Sequence, residues 1–170
     1  KGLKKRGIDY KGFLFIGLMN VQGDPFVIEY NVRLGDPEAE CILPRIQSDL
    51  LALLMAVWKG NLHEEELETD DRHAVTVVMV SGGYPGNYKK GFPVSGLDST
   101  KECVVFHAGT SVDVETAGIK TSGGRVFALT ALDFSIESAR KAVYKNVKKV
   151  DFTAGAFRKD IGEDLMAYKK

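Results

Sequence analysis

The chain has 170 residues, 44% of them hydrophobic and 27% charged, which is an ordinary globular composition. Its length suits one domain of usual size or two small units. Because 23 Lys and Arg residues balance 23 Asp and Glu residues, the neutral chain is not expected to bind nucleic acid or anionic membrane over its whole surface, although a local basic pocket is compatible with it. Its longest apolar run, residues 50–57, is far too short to cross a bilayer.

The cysteines and the first residues indicate the class of protein. Cys41 and Cys103 are widely separated and lack the spacing of metal ligands, so we interpret them as two small buried residues of a reduced intracellular protein. The chain opens with a basic run, residues 1–6, that begins with lysine rather than methionine. This start predicts either a processed protein or a part of a longer polypeptide.

Residues 13–32 predict a β-hairpin. Residues 13–19 form an apolar run typical of a buried strand, and the Gln-Gly-Asp-Pro stretch at 22–25 has the chemistry of a turn. The alternating residues 26–32 then predict a second strand. On this strand Ile28, Tyr30 and Val32 would point together into the core.

Two helices are predicted after the hairpin. The first would have Asp36 as its N-cap and Pro37 at its first helical position, and would end near residues 43–44. Ser48 would cap the second helix and Gly60 would end it. Its apolar face would consist of Leu50, Leu51, Leu54, Val57 and Trp58. We therefore expect the Trp58 side chain to lie in the core.

Residues 61–72 are polar and acidic and are the predicted boundary between two units, with a solvated surface loop as the alternative. The second unit is predicted to be α+β, with a helix that begins after Ser135 and ends near residue 150. One face of this helix would carry Ile136, Ala139, Val143 and Val147. The other predicted elements are strands at 74–80, 103–108 and 125–132, a glycine-rich loop at 81–86, a turn at 123–124, a short strand within 152–161 and a final helical turn.

Polar residues alternate along the second strand of the predicted hairpin. Glu29, Asn31 and Arg33 are two residues apart and would share one face of a strand. Carboxylate and amide oxygens suit a hard cation such as Mg²⁺, and an adjacent arginine suits a phosphate or a carboxylate. The helix start at Asp36 would add its positive N-terminal end. This combination predicts a metal and phosphate site; the alternative is an exposed edge strand of solvated polar residues closed by an Arg–Glu pair.

The stretch VIEYNVRLGDPEAE, residues 27–40, resembles the signature of glycinamide ribonucleotide synthetase, also called phosphoribosylamine–glycine ligase, a member of the ATP-grasp superfamily. Other ATP-grasp enzymes share a Glu-x-Asn on the same strand but usually lack the Gly-Asp-Pro-Glu that follows. The resemblance covers essentially the whole chain in order. It continues in residues 12–19, 43–50, 81–86, 107–110 and 123–126.

This resemblance implies an α+β chain with two parts. Residues 1–70 would be the C-terminal portion of an ATP-grasp domain, with antiparallel strands plus helices, and residues 71–170 a small mixed α/β C-terminal domain. Family members are much longer, so the N-terminal domain and most of the ATP-binding lobes would precede this chain. We therefore expect the chain to be inactive alone and to need that missing N-terminal part as its partner.

The resemblance also implies a reaction. Family members are cytoplasmic ligases of de novo purine biosynthesis that join glycine to 5-phosphoribosylamine with ATP, giving glycinamide ribonucleotide, ADP and phosphate through a glycyl phosphate. Such a reaction needs Mg²⁺ (or Mn²⁺) and fixed cations around the transferring phosphoryl group. The implied partners are glycine, phosphoribosylamine and ATP, with no nucleic acid and no membrane.

Individual site residues follow from the match to the family signature. Glu29 and Asn31 match the metal ligands, and Arg33 matches a catalytic arginine beside the phosphates and substrate. Asp36, Pro37 and Glu38 match the segment that lines the substrate site. No residue is assigned to a further cofactor.

Other polar residues give weaker indications of function. The loop at 81–86 lacks the lysine and the helix of a Walker phosphate loop, so a tight loop is favoured, with a place near the substrate as the alternative. His107 is expected to be structural and hydrogen-bonded near a turn. The competing functions are another ATP-grasp ligase of the biotin carboxylase-like or carboxyaminoimidazole type, which the Gly-Asp-Pro-Glu stretch disfavours, and a non-catalytic binding module that retains the scaffold.

Overall fold

The computed structural model describes residues 2–167. The chain divides into two compact units, one formed by Lys1–Ala39 and Ile46–Asp70, the other by Glu40–Arg45 and Asp71–Lys170. The segment 40–45 therefore groups with the second unit, although the chain returns to the first unit after it. None of the helices within residues 2–167 is long and apolar enough to cross a membrane.

The first unit contains the predicted hairpin. After a one-turn helix, α1 (Gly2–Lys5), strands β1 (Phe15–Val21) and β2 (Asp24–Asn31) pair antiparallel. Gln22 and Gly23 form the connection, both with positive φ. The register places Gly17 opposite Glu29 and Leu18 opposite Val27, so Ile28 is an extra, bulged residue on β2.

The predicted burial of this hairpin is wrong. Strand β1 is largely exposed, and Ile28, Tyr30 and Val32, which were expected in the core, are 62%, 65% and 66% exposed. The physical reason is that β1 and β2 form a two-stranded sheet to which no further strand is paired within residues 2–167. Alternation along a strand predicts which side chains share a face, but a face is buried only where another layer covers it.

The first predicted helix starts later than expected. Helix α2 spans Glu38–Ile42 and continues as a 3₁₀ turn, Leu43–Arg45, so its predicted end is confirmed. The predicted N-cap role of Asp36 and first helical position of Pro37 are wrong, because both residues lie in a turn closed by a hydrogen bond from Ala39 N to Gly35 O. The Asp36–Pro37 peptide bond is cis.

Helix α3 spans Leu50–Lys59, and the predicted stop at Gly60 is confirmed by its left-handed φ of 85° and its N–H bonds to Ala56 O and Val57 O. The predicted Ser48 cap is wrong. Asp49 is the cap, accepting a hydrogen bond from Ala52 N. The Ser48 hydroxyl instead donates to Glu66 O and accepts from Glu68 N, which ties down the acidic segment.

The expected core position of Trp58 is also wrong, since its side chain is 71% exposed. Lys11 Nζ lies 5.5 Å from the centre of the indole ring and donates to the Trp58 carbonyl oxygen. The side of α3 that is buried centres on Ala56 rather than on Leu51 and Leu54, which are exposed.

The second unit is built on a four-stranded antiparallel sheet. Its strands, with those of a separate two-stranded sheet, are β3 (His73–Val80), β4 (Val104–His107), β5 (Thr110–Val112), β6 (Ile119–Thr121), β7 (Arg125–Asp133) and β8 (Ala156–Phe157). The order in the large sheet is β4-β7-β3-β8. The predicted strands at 74–80, 103–108 and 125–132 and the short strand within 152–161 are confirmed, whereas the β5–β6 hairpin was not predicted.

Helix α4 (Ile136–Val147) packs against β3 and β7. Its predicted cap is confirmed, because Ser135 Oγ accepts from Ser138 N, although it ends at Val147 rather than near residue 150. Side chains from the helix and from both central strands are fully buried together. They include Val77, Phe127, Leu129, Ala139, Val143 and Val147. The final helical turn is confirmed as a 3₁₀ turn, Asp164–Ala167.

A buried threonine connects segment 40–45 to this sheet. Thr130, fully buried in the centre of β7, donates to Glu40 O at 2.8 Å and lies 2.7 Å from Thr76 Oγ1 on β3. Cys41 Sγ donates to Ala74 O at 3.2 Å. Side chains of the sheet and of the segment therefore satisfy each other's buried polar groups.

Replacement of Thr130 by valine is expected to lower the free energy of unfolding by about 1–3 kcal/mol, because it leaves the Glu40 carbonyl and the Thr76 hydroxyl without their buried partner while keeping the side-chain shape. Urea denaturation followed by circular dichroism measures the change. Thr153→Val, at an exposed position, is the control and should change stability by less than about 0.5 kcal/mol. Equal stability of the two variants would contradict this account.

Candidate functional site

Glu29 and Asn31 lie together at the end of β2. They are two residues apart on one face of the strand, and Asn31 Nδ2 donates a hydrogen bond of 3.0 Å to Glu29 Oε1. The Glu29 side chain is exposed and the Asn31 side chain half-buried. The structure thus brings together the first two residues of the predicted site, and it leaves the carboxylate accessible.

Two residues that were not assigned to the site shape its surroundings. A Cβ added to Gly17 would lie 3.2 Å from Glu29 Cγ, so the glycine opposite Glu29 leaves room beside the carboxylate. The Tyr10 hydroxyl hydrogen-bonds to Val32 O at 2.9 Å, which holds the chain just past the strand. A glycine inside a strand pattern was an available signal for the first residue, whereas no local pattern indicates Tyr10.

Arg33 is not aligned with the pair by strand geometry. Strand β2 ends at Asn31 and the chain bends at residues 32–33, so the alternation no longer applies. The guanidinium donates to Leu34 O at 2.9 Å, and within residues 2–167 it forms no ion pair with Glu29. The Arg–Glu pair of the edge-strand alternative is therefore not formed either.

The Asp36–Pro37–Glu38 segment follows in a compact turn. Gly35 lies against Glu38, because a Cβ on Gly35 would be 2.8 Å from Glu38 Oε2. Helix α2 has only five residues and begins at Glu38, so the expected contribution of a helix N-terminus at Asp36 is wrong.

The donor atoms of Glu29 and Asn31 fit a hard divalent cation, since both side chains offer oxygen. Among the described residues, no group of three or more His, Cys, Asp or Glu side chains could hold a metal ion. The pair can therefore supply no more than a part of a coordination shell. This fits Mg²⁺ or Mn²⁺ bound with water and phosphate oxygens, because Mg²⁺ usually takes only one or two carboxylates from the protein.

The loop at 81–86 turns tightly, as predicted, with Tyr84 N donating to Ser81 O at 3.0 Å, although residues 83–86 are exposed. Ser81 is buried and bonds to the glycine turn, with its N–H donating to Gly124 O at 2.7 Å and its hydroxyl to Gly123 O at 2.9 Å. A Cβ added to Gly124 would lie 2.2 Å from Tyr84 Cδ2, so only glycine allows the tyrosine ring to sit there. The loop and the turn thus form one packed structure.

The structural role expected for His107 is confirmed. Its Nδ1 lies 3.0 Å from Thr110 Oγ1, in the turn between β4 and β5. Its ring packs edge-on against Phe127 at 5.0 Å between ring centres. These contacts place the imidazole in a packing role.

Both cysteines are free thiols and half-buried. Burial raises the pKa of the Cys103 thiol to about 11, although a backbone hydrogen bond to Thr130 and the charge of Lys149 act in the opposite direction. A thiol with such a pKa is protonated at neutral pH and is a poor nucleophile. Cys103 is therefore assigned no role as a nucleophile.

Comparison with known proteins decides the family. Residues 74–164 match a family model described as phosphoribosylglycinamide synthetase, C domain. Residues 1–39 match the ATP-grasp (A) domain of the same synthetase. The chain belongs to the phosphoribosylglycinamide synthetase family. Glu29, Asn31 and Arg33 thus lie within the ATP-grasp match, and the resemblance inferred from residues 27–40 is confirmed.

Relatives in this family match nearly the whole chain. It is 47% identical over 159 residues to the phosphoribosylamine–glycine ligase of Caldanaerobacter subterraneus subsp. tengcongensis, covering 94% of this chain and 38% of that protein. It is 42% identical over 165 residues to the Escherichia coli O157:H7 ligase, covering 95% of this chain and 38% of that protein. The trifunctional purine biosynthetic protein adenosine-3 of Gallus gallus is 41% identical over 170 residues, covering 98% of this chain and 17% of that protein.

A solved structure confirms the α+β fold class. The crystal structure of phosphoribosylamine–glycine ligase from Thermotoga maritima matches with a TM-score of 0.82 and 35% identity, covering 94% of this chain and 39% of that one. Members of the synthetase family are therefore similar to this chain in sequence and in structure. The chain spans 38–39% of the length of the bacterial ligases named here.

Replacement of Glu29 by alanine is expected to leave the free energy of unfolding within about 0.5 kcal/mol of the parent value, because the carboxylate is exposed and accepts an exposed hydrogen bond from the nearby Asn31 amide. Urea denaturation checks this. A loss of several kcal/mol would mean that Glu29 maintains the hairpin and would contradict its assignment as an available ligand. Glu65→Ala, at another exposed position, serves as the comparison and should also stay within about 0.5 kcal/mol.

Alkylation of Cys103 by iodoacetamide at pH 8 is expected to be at least about tenfold slower than that of an unstructured cysteine, because its raised pKa leaves little thiolate. The rate should climb steadily between pH 8 and pH 10. Peptide mass spectrometry measures it, and the same chain unfolded in guanidinium chloride is the reference. Alkylation of the native thiol as fast as in the unfolded chain would contradict a raised pKa of Cys103.

Proposed function

We propose that this chain is the C-terminal part of an ATP-dependent ligase that joins glycine to 5-phosphoribosylamine, giving glycinamide ribonucleotide, ADP and phosphate. The observation that carries the proposal is the Glu29–Asn31 pair on β2 within the ATP-grasp match. Relatives named phosphoribosylamine–glycine ligase align with 94–95% of the chain. A cytoplasmic location stays a prediction from the family resemblance.

In this proposal Glu29 and Asn31 hold a divalent cation, Mg²⁺ or Mn²⁺, through their side-chain oxygens. The cation supplies charge neutralisation at the nucleotide phosphates. ATP phosphorylates the glycine carboxylate, and the amine of phosphoribosylamine then displaces phosphate from the glycyl phosphate. No nucleophilic side chain is needed, which agrees with the inert thiol and the packed histidine of this chain.

Arg33 is proposed as the catalytic cation that contacts the transferring phosphate and the substrate. Its guanidinium donates to the neighbouring Leu34 carbonyl, and reorientation toward an anion would give up this exposed hydrogen bond. Asp36, Pro37 and Glu38 are proposed to line the substrate site. Their compact turn follows the strand directly, which keeps them within a few residues of the metal ligands.

The exposed hairpin also supports a role for further polypeptide. Apolar side chains stand exposed on both strands, an arrangement that is unusual for a surface in contact with water alone. They include Ile16, Leu18, Met19, Phe26, Ile28 and Tyr30. Since the chain spans 38–39% of the bacterial ligases, we propose that the N-terminal part of the ligase covers these faces and completes the ATP site.

A chimeric enzyme tests the function. The N-terminal part of the Escherichia coli ligase is joined to residues 1–170, and phosphate release is measured with ATP, glycine and phosphoribosylamine, omitting each in turn. We expect turnover from the chimera only when all three are present and none from the 170-residue chain alone. A folded chimera without turnover, or turnover without glycine, would overturn the proposed reaction.

Variants of the chimera test the site. Glu29→Ala should lower kcat by at least about 100-fold, because charge on the phosphoryl group would no longer be neutralised, and Asn31→Ala should raise the Mg²⁺ concentration needed for half-maximal rate. Glu65→Ala, an exposed carboxylate outside the site, is the control and should have the parent rate. A fully active Glu29→Ala chimera would exclude the proposed metal role of Glu29.

A further inference from the structure

A basic groove runs along helix α4 in the second unit. Its volume is about 760 Å³, within the range of small-molecule sites. Four lysines line it, all exposed, against a single lining carboxylate, Glu137. The lysines are Lys141, Lys145, Lys148 and Lys159. A local concentration of positive charge therefore stands out on a chain whose formal net charge is zero.

None of these four lysines forms an ion pair with another described residue. Lys141, Lys145 and Lys148 follow one another at helical spacings of four and three residues, so they form a single stripe. Like charges at this spacing on a helix repel one another. The stripe is therefore a concentration of like charge that an anionic ligand would neutralise.

The remaining cation of the groove has a different role. Arg140 donates to Ile161 O and to Lys159 O, pairs with Glu163, and lies 5.2 Å from the centre of the Tyr144 ring. These bonds tie the C-terminal segment to α4 and hold the wall of the groove in place. Arg140 is thus already satisfied, and the available charge belongs to the lysines.

Apolar side chains also line the groove. Phe157 on β8 is half-buried, with its ring 6.1 Å from that of Tyr144, and Met166 is 39% exposed. An aromatic ring and a thioether offer a flat, polarizable surface on which a planar ring can pack. A ligand that uses the whole groove therefore combines several negative charges with a flat apolar group.

We propose that this groove binds a nucleoside polyphosphate, with its phosphates on Lys141, Lys145 and Lys148 and its base against Phe157 and Met166. The backbone positions of the three lysines span about 10 Å along the helix. Their flexible side chains bring the ammonium groups closer together, to the length of a triphosphate. Lysine binds phosphate as a point charge, so this site needs no metal ion. The groove belongs to the second unit, whereas Glu29 and Asn31 belong to the first.

Calorimetric titration of the 170-residue chain with ATP in the presence of EDTA tests the proposal, because chelation removes any contribution of the Glu29–Asn31 pair. We expect a Kd below about 1 mM that weakens as salt is added. Lys141→Gln/Lys145→Gln/Lys148→Gln should lose at least tenfold in affinity. The control with the same change in charge is Lys59→Gln/Lys89→Gln/Lys90→Gln, at exposed positions elsewhere, which should bind like the parent.

Two further ligands test the chemical class. Met166→Ala should weaken ATP binding several-fold and leave tripolyphosphate binding unchanged. Equal affinity for ATP and tripolyphosphate would overturn the nucleoside assignment, and tighter binding of a decathymidylate strand than of ATP would indicate a nucleic-acid surface instead. Absence of binding, or equal loss in both lysine variants, would overturn the site itself. Failure of the chimeric ligase would leave these outcomes unaffected, since no turnover is involved.

Discussion

The antiparallel pairing of β3 with β7 is the interaction on which the second unit depends. These strands pair from His73 opposite Asp133 to Val80 opposite Arg125, and each also pairs with an edge strand on its other side. Their apolar side chains meet α4 in one continuous core. Because the same pairing brings Thr76 beside Thr130, it also creates the buried polar site that binds the Glu40 carbonyl. Packing and hydrogen bonding therefore have one common origin.

The hairpin of the first unit shows what happens when pairing occurs without a covering layer. Its backbone hydrogen bonds form and its register is regular apart from the bulge at Ile28, yet its apolar residues stay exposed. The strand still performs the task that matters for the site, which is to set Glu29 and Asn31 side by side. Alternation along an extended backbone is sufficient for that, whereas alignment of Arg33 would need the strand to continue past Asn31.

The formal net charge of zero conceals separate acidic and basic regions of the chain. The acidic segment after α3 is held by Ser48 through backbone contacts, while the lysines of α4 gather around a groove with little opposing charge. In the proposed ligase the first unit handles nucleotide phosphates through a metal ion, and the groove of the second unit uses lysine for the same chemical group. The proposed metal-dependent and lysine-based ways of binding phosphate differ in their need for divalent cations. Removal of these cations by chelation therefore distinguishes the two.

Local patterns in the sequence determined much of this protein. The hairpin, the central strands, the Ser135 cap and the buried face of α4 follow from periodicity and capping, which depend on residues only a few positions apart. The spacing of Glu29 and Asn31 and the stretch that follows were enough to indicate the family.

Tertiary structure alone decided the rest, because it depends on partners far along the chain. Ser48 is not a cap because its hydroxyl is bonded to residues 66 and 68, and Trp58 lies outside because Lys11 and solvent, rather than a core, meet its ring. The basic groove exists only because β8 and the C-terminal turn fold back onto α4. Sequence spacing determined which side chains share a face, and only the fold determined what each face meets.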